Sequence, residues 1–166
     1  MSGALTIWQD HEGSALVEGA LLLPVLCVLM FGIYEFSWLL YQRHLITTGL
    51  RDAARYLARS SNPCNNAAPD WLVSEENAKK LATTGSINGS AARVRGWTAP
   101  MVTPLCTAID NAPGPNGLST YRGGPIIYVI TVSTRFTDPS LGFFGLLGLS
   151  PPVISIAHSE RATGPG

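Results

Sequence analysis

Two groups of residues in this chain have types and spacings that suggest chemistry. The first is Gly13 and Ser14 with Glu18, five residues after the glycine, at the mouth of a long apolar run. An ionised carboxylate in hydrocarbon is costly, so such an acid needs a partner. Cleavage just before Ser14 would expose an α-amine, a cation close to Glu18 in its own chain or in a neighbour packed alongside. The two charges would then compensate each other in a dry helix bundle. The simpler reading leaves Glu18 at headgroup level. The second group is Cys64 and Cys106, in the loop-like stretches NPCNN and PLCTA. As a disulfide they would close a loop of about 40 residues, worth roughly 3–4 kcal/mol by chain entropy. That bond needs an oxidising compartment. The alternative is two unrelated free thiols.

Other chemistry has little support. His11, His44 and His158 are scattered, and none falls at a metal-ligand spacing with cysteine or acid. There is no G-x-S-x-G elbow and no P-loop. Ser159 beside His158 is a neighbour in sequence, which says nothing about a triad in space. Asn88-Gly89-Ser90 fits a glycosylation acceptor, a pattern short enough to arise by chance. The expectation is a protein that is not an enzyme, with no cofactor, no metal and no small-molecule substrate. Formal net charge is zero and no basic run is interleaved with aromatics, so a nucleic-acid partner is not expected either.

The element that must position Glu18 decides the class. Hydrophobic residues make up 46% of the 166 and charged residues only 13%. From Gly19 to Tyr34 there is no charge. Ser14 to Leu40 as a helix is about 40 Å long, enough for a hydrocarbon core of about 30 Å. Trp38 and Tyr41 stand at the far end, where amphipathic rings favour the interface, and Glu35 is close enough to that end to reach headgroups. Pro24 lies about a third of the way along, a place for a kink. Residues 1–13 carry no Lys or Arg, and no A-x-A site closes the run, so an ordinary signal peptide does not fit. The helix is expected to stay as an anchor in membrane lipid.

From Gln42 to Ser60, Ile46, Leu50, Ala53, Ala54 and Leu57 recur at three- and four-residue spacing and predict a stalk helix continuing the first. Arg51, Arg55 and Arg59 lie elsewhere around it, on a solvated face. Beyond residue 60 the glycines and prolines concentrate, which favours short elements. Ser74 is expected to cap a helix through about Ala82, stopped by Gly85. Strands are expected at Ala92–Trp97, Ile126–Phe136 and Val153–Ala157, with Asn111–Gly124 a flexible loop. LGFFGLLGL, Leu141 to Leu149, is too short to span a membrane; it is expected to fold under the sheet as core, the alternative being contact with the membrane or a neighbouring subunit.

These residues resemble a family. Gly13 followed by Ser14-Ala15-Leu16-Val17-Glu18 and an apolar helix is similar to the processing site of type IV pilins and pseudopilins. Glu18 to Pro24, Gly32 to Phe36, Ala53 to Tyr56 and the closing VISIAHSERATG resemble the TadE-like minor pseudopilins of the tight-adherence (Flp) pilus. Two features depart from the family: Gly19 stands where an aromatic usually follows the glutamate, and the leader is acidic. The resemblance implies cleavage after Gly13 by a prepilin peptidase, and packing against other pilin or pseudopilin subunits. It implies an α+β fold: a leader at 1–13, a transmembrane helix at 14–40, a stalk at 41–60, and an extracytoplasmic domain at 61–166 with a small antiparallel sheet. The implied location is the bacterial inner membrane, N-terminus cytoplasmic and domain periplasmic. Arg43, Arg51, Arg55 and Arg59 after the helix argue the other way by the positive-inside rule, though long domains translocate largely regardless of charge. The alternative function is a bitopic membrane protein whose outer domain binds something unrelated to pili.

Overall fold

A long helix comes first because nothing in residues 14–58 stops one. Helix α1 runs His11–Ala58, through Pro24, which stands inside it without ending it. The structure is a computed structural model that describes residues 11–164, with side chains from Leu16 onward. Residues 1–10, most of the expected leader, lie outside the described residues. The chain divides after Leu39 into two units, and α1 contributes to both.

The first unit is α1 up to Leu39. Its apolar side chains are exposed all round the helix. It meets the length and composition needed to cross a membrane, with a mean hydropathy of 2.4 and none of that window buried. The expected single spanning helix is therefore present as an element.

The second unit starts with the rest of α1. Ile46, Leu50, Ala53, Ala54 and Leu57 are fully buried, the stripe that the three- and four-residue spacing predicts. Helix α2, Pro69–Thr84, packs on it through Trp71, Ala78 and Ala82. It begins five residues before Ser74, because Pro69 occupies its first turn with Asp70, so Ser74 is inside the helix rather than its cap. Gly85 ends it in the left-handed region, φ 82, with its N–H donating to Leu81 O at 2.9 Å. Ion pairs Glu75–Lys79 at 2.7 Å and Glu76–Lys80 at 2.9 Å line its outer side one turn apart.

Gly49 shows how close α1 and α2 come. A methyl at Gly49 would run into the carbonyl oxygen of Ala82 and stand 3.0 Å from Trp97 Cη2. Ala is worth about 1 kcal/mol over Gly in a helix interior, but overpacking typically costs 1–3 kcal/mol, and here the obstacle is backbone. Gly49→Ala is therefore expected to destabilise the unit, by about 2 kcal/mol net, since a backbone obstacle puts the cost at the upper end of that range. The urea midpoint of the detergent-solubilised protein checks it; an unchanged or raised midpoint refutes the close approach.

Three antiparallel strands follow, β1 Val102–Asp110, β2 Ile126–Phe136 and β3 Ile154–Arg161, in the order β1-β2-β3. Register pairs Cys106 with Ile130 and Val132 with His158. Ile130, Val132, Thr134 and Phe136 alternate onto the buried face with Val102 and Ile154. This is an α+β fold. The strand at Ile126–Phe136 stands where its β-branched run places it, and the last strand continues beyond Ala157 to Arg161.

Two further expectations fail. Ala92–Trp97 forms turns, not a strand; Val94 and Trp97 are buried three residues apart. Trp97 Nε1 donates to Thr134 Oγ1 at 3.0 Å, which in turn donates to Met101 O at 2.7 Å. The missing strand is β1, whose Pro104 sits on an edge, where a strand tolerates a residue that cannot donate. LGFFGLLGL also fails as core. Leu141 is buried, but helix α3, Gly142–Leu146, and the turn after it leave Leu146, Leu147 and Leu149 exposed.

The remaining connection, residues 111–125, is fastened by a buried asparagine. Asn111 Nδ2 donates to Tyr121 O and Gly124 O, both at 2.9 Å, and its Oδ1 accepts from Tyr121 N at 2.9 Å. After β3, Thr163 N donates to Ala58 O at 2.8 Å and gives a carbonyl at the end of α1 a partner.

Candidate functional site

The candidate site is built on the first part of α1. Helical backbone runs through Gly13 and Ser14, whose side chains lie outside the described residues. Ser14 and Glu18 are four residues apart in this helix, one turn along the same side. Glu18 is exposed, with exposed Leu21 and Leu22 three and four residues on. Leu16 is 77% exposed, Leu21 72% and Ile33 68%.

Magnitudes decide what such a helix can do. Each large apolar side chain is worth about 1.5–3 kcal/mol when fully removed from water. More than a dozen are exposed here. A single charge at the centre of an inserted helix costs about 2.5–3.5 kcal/mol on insertion scales, and less toward an end. The apolar surface outweighs Glu18 several times over. The helix is compatible with a single-pass membrane anchor. Cys27 is a free, partly exposed thiol on it, and Glu35 is half-buried near its far end.

Cys64 and Cys106 are joined, Cα to Cα 5.2 Å, across a separation of 42 residues. The bond ties the turn after α1 to the middle of β1. That turn holds Asn62 at φ 53 and Cys64 at φ 65; asparagine tolerates this left-handed region, and at Cys64 it costs about 1–2 kcal/mol.

Of the arginines that follow the apolar segment, Arg55 has an acid beside it, and a second pair joins Arg93 to α1. Arg55 Nε is 3.5 Å from Glu160 Oε1, and Arg93 Nη2 is 2.7 Å from Asp52 Oδ2. Glu160 also accepts from His158 Nε2 at 3.0 Å; that hydrogen bond, then the neighbouring charges of His158 and Arg55, hold its carboxyl below the ordinary range. Arg55, Tyr56 and Arg59 line an open groove with Ser60 and Ser74. Ser159 points to the opposite face of the sheet, where its hydroxyl shares a 2.8 Å hydrogen bond with Thr131, so it and His158 are not brought together. Among the described residues no three of His, Cys, Asp and Glu converge.

One polar lock escapes the sequence spacing. Gln42 Nε2 donates to Asp138 Oδ2, and both residues are buried. Asp138 Oδ1 also accepts from Ser140 N at 2.8 Å and Ser140 Oγ at 2.7 Å. The Asp-Pro-Ser run is a turn signal that could have located the acid, but nothing local points to a glutamine 96 residues away.

The chain matches no curated protein and no solved structure. The family model of TadE-like protein matches residues 13–55. The match covers the helical backbone at Gly13 and Ser14, the exposed apolar helix with Glu18, and most of the buried stripe. Residues 13–55 of this chain are thus similar to TadE-like protein.

Proposed function

We propose that this chain is a membrane-anchored, pseudopilin-like protein that takes part in assembling a tight-adherence pilus. A prepilin peptidase cuts after Gly13 and Ser14 becomes the new N-terminus. The helix of residues 14–40 stays in the bacterial inner membrane until it packs against the helices of other pilin or pseudopilin subunits. Glu18 compensates the new α-amine, its own or a neighbour's, as the helices leave lipid for a bundle. The observation that carries this reading is an apolar helix exposed on every side, with one acid a single turn after Ser14, inside the TadE-like segment. Such a helix needs a cover, lipid at first and other helices later.

The N-terminus is cytoplasmic and the domain periplasmic. The Cys64–Cys106 bond supports that orientation, because disulfides persist in oxidising compartments. The basic flank does not oppose it strongly, since Arg55 has an acidic neighbour within the domain.

Processing is the direct test. Mass spectrometry of protein extracted from membranes is expected to find Ser14 at the N-terminus of the wild type. Gly13→Arg is expected to keep the residues before Ser14 while remaining in the membrane fraction, because the apolar run is untouched. Wild-type protein that still carries those residues would remove the pseudopilin mechanism. It would leave a bitopic protein with an outer binding domain.

A further inference from the structure

We propose that the β2–β3 connection, Leu141 to Leu149, is a second membrane contact, seating its leucines in the interfacial layer of the bilayer that α1 crosses. This rests on the reading of α1 as a membrane helix.

Composition makes the connection unusual. Between Asp138 and His158 there is no charged residue. Leu146 is 80% exposed, and Leu147, Leu149 and Val153 are about half exposed. Leu141 is buried and Phe143 and Phe144 are half-buried, which fastens the connection to the core. Helix α3 has five residues, far too few to span. An uncharged, leucine-bearing tip of this size fits the headgroup and upper acyl layer, where shallow apolar insertion occurs.

Placement selects lipid. Asp138, where the connection begins, is held by Gln42, two residues after the expected end of the membrane helix at Leu40. The other end of the sheet is tied to the opposite end of α1, through Thr163 and Ala58, about 24 Å further along the helix. The 111–125 connection follows β1 at that distant end, where Asp110 pairs with Ile126, and it carries Arg122. The uncharged connection is thus at the end of the domain where the chain enters from the apolar segment, and the charged one is away from it.

Nitroxide labels on the full chain test this, in phosphatidylcholine–phosphatidylglycerol vesicles at low protein-to-lipid ratio, with the disulfide left oxidised. One label is placed on native Cys27. The others are placed in a Cys27→Ser background through Leu146→Cys or Leu118→Cys; Leu118 is an exposed leucine of the 111–125 connection. Collision with oxygen, which concentrates in lipid, is compared with collision with a water-soluble nickel chelate. Labels at 27 and 146 are expected to favour oxygen several-fold over the label at 118. If 27 favours oxygen while 146 matches 118, the second contact is wrong and the membrane helix stands. If 27 itself is aqueous, both fall. A label at 146 shielded from both reagents would mean cover by protein, and would overturn the proposal in favour of a neighbouring copy.

Discussion

Glu18→Ala is expected to leave the protein in the membrane and remove it from pilus assemblies. Insertion should be equal or better, because the substitution deletes the carboxylate that opposes transfer into lipid. Assembly is a different transfer. In the proposed mechanism, cleavage gives the helix an ammonium at Ser14 with a carboxylate one turn on, and both leave a hydrated headgroup layer for a helix bundle. Removing one member of a buried ion pair leaves an uncompensated charge, at a cost of about 3–5 kcal/mol. That corresponds to roughly two to four decades in partition. Sheared pili and detergent-extracted membranes, blotted in parallel, measure the split. Gly13→Arg supplies the control. An uncut chain has no amine at Ser14, so Glu18→Ala should add little in that background, the non-additivity expected of groups acting as a pair. Glu18→Ala protein recovered in pili at the wild-type level would end the compensation argument.

What the sequence made legible follows from periodicity and run length. The buried stripe Ile46 to Leu57 and strand β2 are each dense repeats of one period, helical and strand respectively, and each is where its pattern places it. Failures occur where a long-range contact outweighs local signals. Val94 and Trp97 suggest half a strand, yet a turn suffices once Thr134 takes the indole N–H. VTPLCTAID looks like loop because Pro104 interrupts it and its apolar residues do not alternate, hiding a strand that only β2 completes. Leu141–Leu149 suggests core because an apolar run in water has nowhere else to go. With a bilayer as a second apolar phase, that inference loses its force. Gly49 is a mere weakness in a helix until α2 is set against it.

The candidate site divides in the same way. Glu18 and the apolar run are legible because membrane insertion is a property of one continuous segment. The Gln42–Asp138 lock is invisible because both groups are ordinary polar residues whose significance lies in burial. The TadE-like match ends at residue 55, just before the end of α1. The domain beyond it must be understood from its own packing.

That packing has one covalent element, and removing it is the second large effect expected. Replacing Cys64 and Cys106 together by alanine frees a loop of 42 residues, worth about 4 kcal/mol by chain entropy. Some of this returns if Cys64 relaxes from its left-handed backbone, up to about 1–2 kcal/mol. A net loss of about 2–4 kcal/mol is a large share of the 5–15 kcal/mol typical of a domain. The loss should concentrate in β1, an edge strand whose one ladder partner is β2, so its amides should exchange first. The same bond reports the compartment. Of the three cysteines, only Cys27 is free. Cells quenched in acid, denatured and treated with a maleimide polymer should give one adduct without reductant and three with it. A reducing cytoplasm would give three in both lanes. That result would place the domain on the side that the flanking arginines favour, and with it a pseudopilin oriented outward would no longer be tenable.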